Sequence, residues 1–272
     1  MSSDTQISPA RQDLLAGLGR RLRLAWQVPE LVGALAADEL PRGRPEAYAV
    51  QDAMAAVIDE PLTGWKVGAT SARMRELAGH DDVIPGRIFR SVTWQGSRLT
   101  LPAARFPDAR AETEFAFRLS EPLPLRDTPW RANELMPIAT LHPAIEIIGN
   151  RHALPDAPAT VRSLMTIADN GGGIGFVFGE PIADWHEIDY QNHHISLTVD
   201  GGAEAENFLG DMRCVPIDVV ADLVNHLRTR GIALAAGDFV STGAATVPQH
   251  ITTGSHVVAD FGVLGRMELD FE

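Results

Sequence analysis

The chain has 272 residues, 45% hydrophobic and 22% charged, enough to bury a full core as one large domain or two smaller ones. Its 36 acidic and 23 basic residues leave a formal net charge of -13, which repels nucleic-acid phosphates. One cysteine, Cys214, excludes an intramolecular disulfide and a multi-cysteine zinc site. Uncharged stretches fall short of the ~18–20 residues of a membrane span, and the start MSSDTQISPARQDLL lacks a basic-then-apolar secretory pattern. The expectation is a soluble cytoplasmic protein with neither nucleic acid nor membrane as partner.

Leu14, Leu18, Leu22 and Trp26 recur every four residues with Arg20, Arg21 and Arg23 between them, which predicts a helix. Pro29 interrupts it, and Leu31, Val32 and Leu35 continue a shorter apolar face. Asp38–Pro45 reads as a linker. A second helix follows, with Pro45 in its first turn and Ala47, Val50, Met54 and Val57 on one stripe. Thr63–Ser71 (TGWKVGATS) predicts a short strand with Trp65 and Val67 on one side and Lys66 on the other. Ser71 is placed to cap a short helix over Ala72–Leu77. From Trp94 onward strands dominate: WQGSRLTL, AETEFAFRL, PAIEII, IGFVFG, HISLTVD, DFVSTG, HVVADF and RMELDF. One amphipathic helix lies between Val215 and Arg230. The predicted class is α+β, with a helical segment over residues 1–62 and a β-rich domain over residues 63–272.

Several familiar sites are excluded. GGGIG at Gly171–Gly175 is not a dinucleotide fingerprint, because Phe176 and Phe178 stand where a third glycine is needed. There is no phosphate-binding P-loop, no H-E-x-x-H and no nucleophile elbow, and the adjacent His193 and His194 would face opposite ways on a strand. Glu112 and Glu114 do share a strand face with Arg110 and Arg118, opposite Phe115, Phe117 and Leu119. Two such carboxylates suit Mg²⁺ or Mn²⁺; taken alone, the strand reads more simply as a solvated face with surface ion pairs. Glu146 sits in PAIEII, apolar on both faces, so it is expected to be buried against either a metal or an arginine, Arg110 or Arg151. Lys66, between two glycines, is either an anion-binding amine or a surface lysine. His80, Asp81 and Asp82 offer acid–base groups or a plain polar turn.

In chain order, GWKVGATS, AGHDDVIPGRIF, ARAETEFAFRL, PAIEII, IADNGGGIGFVFG, LAAGDFVSTGA and VVADFGVLGRMELDF resemble the motifs of the 2-keto-4-pentenoate hydratase / 4-oxalocrotonate decarboxylase family, within the fumarylacetoacetate hydrolase superfamily. The resemblance spans nearly the whole chain. It implies a fumarylacetoacetase C-terminal-like mixed β-sheet roll or barrel. It implies Mg²⁺ or Mn²⁺ on Glu112, Glu114 and Glu146, with a small 2-oxo or 2-hydroxy acid chelated by the metal. Lys66, Asn170 and Thr242 are implied at the substrate, with Asp81 or its neighbour Asp82 in proton transfer and His80 as the catalytic candidate for activating water in a C–C hydrolysis. The implied reaction is hydration of a 2-hydroxy-2,4-dienoate. Decarboxylation of a 2-oxo-3-enedioate, C–C hydrolysis of a diketo acid, and a non-catalytic binding role on the same fold are the rivals. The family also implies a homo-oligomer.

Overall fold

The computed structural model describes residues 7–28, 32–182 and 184–272, which form two compact units. The first takes in the chain up to Asp59 together with a later stretch, Asn150–Gly172. Its helices are α1 (Pro9–Gln27), α2 (Arg44–Ala55) and α5 (Ala159–Ala168). On α1 the buried apolar side chains among the described residues are Leu15, Leu18, Leu22 and Ala25, while Leu14 is exposed and Trp26 half-buried. A strict four-residue repeat drifts around a helix of 3.6 residues per turn, so the predicted stripe crosses from one face to the next. Gly19 lets α2 approach closely: a Cβ there would stand 2.7 Å from the Val50 carbonyl oxygen. Pro45 lies in the first turn of α2 as predicted, but the helix ends before Val57, which is exposed. Residues 32–43 are not helical, against the continued apolar face read at Val32 and Leu35; Pro29 and Leu31 lie outside the described residues.

α5 escaped the sequence reading. Thr160, Val161 and Thr166 are poor helix formers, and packing on α2, with Gln51 Nε2 donating to the Ile167 carbonyl (3.0 Å), prevails over propensity. After the helix, Asp169 accepts from the Arg151 backbone (2.8 Å) and pairs with its guanidinium (3.1 Å), which lies over Trp26.

The second unit holds α3 (Ala72–Ala78), α4 (Ala132–Leu135), α6 (Pro216–Thr229) and all twelve described strands. These are β1 (Leu62–Gly68), β2 (Ile84–Phe89), β3 (Thr93–Gln95), β4 (Arg98–Leu101), β5 (Ala109–Leu119), β6 (Ala139–Ile148), β7 (Gly173–Phe178), β8 (Ser196–Val199), β9 (Phe239–Ala244), β10 (Gln249–Ile251), β11 (His256–Asp260) and β12 (Arg266–Phe271). The larger sheet is mixed, in the order β2-β1-β9-β5-β6-β7-β3, with β10 on the first half of β5; the smaller is β4-β12-β11-β8. Val219, Val220, Leu223, Val224 and Leu227 of α6 are buried as the amphipathic reading requires. Ser71 caps α3, accepting from the Met74 backbone.

Three strand expectations change. IPGRIF is a strand despite Pro85 and Gly86, tolerated because β2 is an edge that, among the described strands, pairs only with β1. WQGSRLTL breaks at Gly96, at φ 134°, into β3 and β4, which enter different sheets. His193 and His194 precede β8 rather than alternating on it: His193 Nε2 bonds the Phe261 carbonyl (2.9 Å), and His194 meets Glu204 (2.7 Å). Among the described residues no helix is long and apolar enough to cross a membrane.

Candidate metal and substrate site

β5 is buried on both faces. Phe115, Phe117 and Leu119 enter the core, and Glu112 and Glu114 are buried on the other side, so the solvated-face reading fails. Only Arg110 and Arg118, at the ends of that row, reach solvent. β6 pairs antiparallel to β5 and sets Glu146 directly opposite Glu112. Three carboxylates thus converge, one oxygen from each lying within 4.8 Å of the others. Like charges directly across a sheet are destabilising, so this is not an arrangement that stability alone selects.

Lys66 is the counter-charge. It is buried on β1, and its Nζ lies 3.2 Å from Glu146 Oε1. The arginine partners expected from the sequence do not serve: Arg110 is exposed and Arg151 pairs with Asp169 in the other unit. Burial works against the Lys66 ammonium, but Glu146, Glu114 and Glu112 outweigh it and hold its pKa above the ordinary value. Burial, then repulsion from Glu114, pushes the Glu112 carboxyl up to about 8, with Lys66 opposing. Burial raises Glu146 as well, again against the pull of Lys66.

The donor set fits a hard divalent cation. Among the described residues, Glu146 Oε2 and Glu114 Oε1 have no hydrogen-bond partner although both are buried, while Glu146 Oε1 has the Lys66 ammonium beside it. Unsatisfied carboxylate oxygens at such depth are costly unless a cation or protons meet them. The backbone leaves room for the acidic side chain: a Cβ on Gly173 would stand 2.5 Å from Glu146 Oε1 and 2.5 Å from the Phe176 ring. That explains one glycine of the GGGIG run, which periodicity leaves unassigned.

The other candidates fall on several elements. Thr242 lies on β9, and its hydroxyl donates to the Phe115 carbonyl (2.7 Å), whereas its neighbour Ser241 donates to Glu114 Oε2. Alternation along the strand therefore turns Ser241, not Thr242, to the carboxylates. The Thr242 carbonyl accepts from the buried Cys214 thiol (3.2 Å), whose pKa burial pushes up to about 11. Asn170 belongs to the helical unit, where it holds a left-handed φ of 56°. His80, Asp81 and Asp82 form the turn before β2, beyond the point where Gly68 opposes Ile84. Asp81 is exposed. Asp82 accepts from His226 Nδ1 of α6 (2.6 Å) and from the Val83 backbone (2.8 Å). Ser241 and His226 were not singled out from the sequence, because each is recognised only by a partner more than a hundred residues away.

No family model matches the chain. Among curated proteins it is similar to a 4-oxalocrotonate decarboxylase of Pseudomonas sp., 29% identical over 211 residues, 75% of this chain and 76% of that protein. It is similar over its full length to a 2-keto-4-pentenoate hydratase of Paraburkholderia phymatum, 26% identical over 277 residues, covering 99% of that protein. Among solved structures, a 4-oxalocrotonate decarboxylase from Pseudomonas putida G7, complexed with magnesium and adipate, superposes with a TM-score of 0.82. The identity there is 20%, covering 96% of this chain and 98% of that one. The two curated relatives carry both names of the family that the motifs resemble, and the α+β fold with its mixed sheet is the one those motifs implied.

Proposed function

We propose that the protein is a metal-dependent hydro-lyase that adds water to a 2-hydroxy-2,4-dienoate to give a 4-hydroxy-2-oxo acid. The observation that carries this is the buried carboxylate triad with its unsatisfied oxygens and one adjacent ammonium. Similarity to a hydratase along the entire chain supports it. Glu112, Glu114 and Glu146 would hold Mg²⁺ or Mn²⁺, which supplies an electrophile for the C1 carboxylate and C2 oxygen of the substrate. Lys66 supplies a second positive charge in the same low-dielectric setting. It pairs with the substrate carboxylate or with the negative charge that develops as the dienol ketonises. A proton must then move on the carbon chain before water adds at C4. Asp81 or Asp82, in the turn that also carries His80, is the carboxylate assigned to that transfer. The buried face excludes bulk water from the metal-binding oxygens, which strengthens each of these charge interactions.

Decarboxylation of a 2-oxo-3-enedioate is the second reading. It uses the same electron sink, and it is favoured by the similarity to two 4-oxalocrotonate decarboxylases. Purified protein with Mg²⁺, offered 2-hydroxypentadienoate and 2-oxo-3-hexenedioate separately, distinguishes the two. Appearance of 4-hydroxy-2-oxopentanoate supports hydration. CO₂ release from the enedioate without hydration of the dienoate replaces it by the decarboxylase reading.

The reading includes a cytoplasmic homo-oligomer. Leu14 and Leu24 of α1 and Val28 at its end are exposed, which a subunit contact would cover. A single-chain mass by light scattering would remove that part alone.

A further inference from the structure

Ser241 is buried on β9, between Lys66 of β1 on one side and Ala116 of β5 on the other. Its hydroxyl reaches past a register shift in the β5–β9 pairing, between Glu114 and Ala116, and donates to Glu114 Oε2. The terminal torsion of a glutamate is broad, so an unheld carboxylate turns freely between orientations. Here one oxygen is tied to Ser241, while the other, Oε1, is buried and accepts nothing. Glu114 is thereby fixed with one oxygen committed to the protein and one presented. The neighbouring Thr242 hydroxyl is spent on the Phe115 carbonyl and takes no part in this.

We infer that Ser241 is a positioning residue for the metal: it orients Glu114 so that Oε1 is offered to a divalent cation together with Glu112 and Glu146. The inference rests on the metal reading given above. Partners of this kind, bonded to a ligand rather than to the ion, typically change metal affinity by about 10–100-fold when removed.

The test is Mn²⁺ binding to metal-stripped protein, followed by calorimetry and by the electron paramagnetic resonance spectrum of the bound ion. Ser241→Ala removes the hydroxyl. Ser241→Thr and Ser241→Val form a second pair, of nearly equal shape, of which only the threonine retains it. The expected result is a Kd raised about tenfold in the alanine and valine variants, a changed spectrum of bound Mn²⁺, and affinity near wild type in the threonine variant. A purely structural serine would lower the melting temperature of metal-free protein and leave the Mn²⁺ affinity of the folded variants within twofold of wild type. That outcome overturns the inference while leaving the metal reading intact. Failure of the wild-type protein itself to bind Mn²⁺ removes both.

Discussion

The ammonium of Lys66 and the carboxylate of Glu146 stand 3.2 Å apart although two strands, β9 and β5, lie between their own. Adjacent strands are spaced ~4.8 Å, so the two backbones would lie about 14 Å apart in a flat sheet. Both side chains therefore lie along the sheet face toward each other. With all groups ionised, three carboxylates and one ammonium leave two negative charges, the amount that one divalent cation cancels. Lys66 thus limits the repulsion within the triad without occupying all of its oxygens.

Replacing Lys66 by methionine keeps the length of the side chain and removes the charge. Turnover is expected to fall by at least 100-fold, since the lost charge acts where the substrate becomes anionic, while Mn²⁺ still binds. In Mg²⁺ the melting temperature should stay close to wild type. In EDTA it should fall, and further as pH rises, because the carboxylates ionise with no ammonium beside them. Near-normal kcat/KM in the variant would make Lys66 a structural counter-charge only.

Glu112 makes the metal-free protein sensitive to pH. Its carboxyl titrates near 8 when folded, against an ordinary value of 4.5. The folded state therefore keeps a proton that the unfolded chain releases, and stability declines as pH rises from 4.5 through about 8. Glu112→Gln removes that contribution. In EDTA its melting temperature should change less between pH 6 and pH 8.5 than that of wild type, by on the order of 5 °C. An unaltered slope would mean that Glu112 is ionised throughout this range.

Much of this site was legible in the residues. The two-residue period puts Glu112 and Glu114 on one face, and the apolar setting of Glu146 predicts its burial. That the Glu112 face is itself buried was not legible, because it depends on β6 and β9, which come from distant parts of the chain. The dipeptide Ser241-Thr242 shows the same limit: both residues suit a site, and only the register against β5 decides which hydroxyl faces Glu114. In the helical unit, α5 is hidden by its own hydroxyl and β-branched residues, whereas α6 of the second unit is strongly amphipathic and legible from its apolar spacing.

Gly173 should not accept a side chain. A Cβ would overlap Glu146 Oε1 and the Phe176 ring, each at 2.5 Å, and Phe176 opposes Glu146 across the β6–β7 pairing. Gly173→Ala therefore displaces the carboxylate or the ring. The expected outcome is Mn²⁺ affinity weakened by about tenfold or more, with a lower melting temperature. Wild-type affinity would show that the aromatic ring alone yields and that the glutamate stays in place.

Loading the cation must displace protons from the triad. At neutral pH, Glu112, with its carboxyl near 8, and Glu146, also raised, compete for protons with any cation that shares their oxygens. Mn²⁺ affinity should therefore rise between pH 6 and about pH 8 and then level off. Calorimetry in buffers of different ionisation heats should detect proton release on binding at pH 7, diminishing above pH 8. Activity should vanish after EDTA treatment and return with Mg²⁺ or Mn²⁺. Lys66 sets the sign of a control: with its charge removed, the carboxyls hold protons more tightly, and the pH dependence of Mn²⁺ binding should move upward. An affinity constant from pH 6 to pH 9 would mean that these carboxylates do not bind the ion.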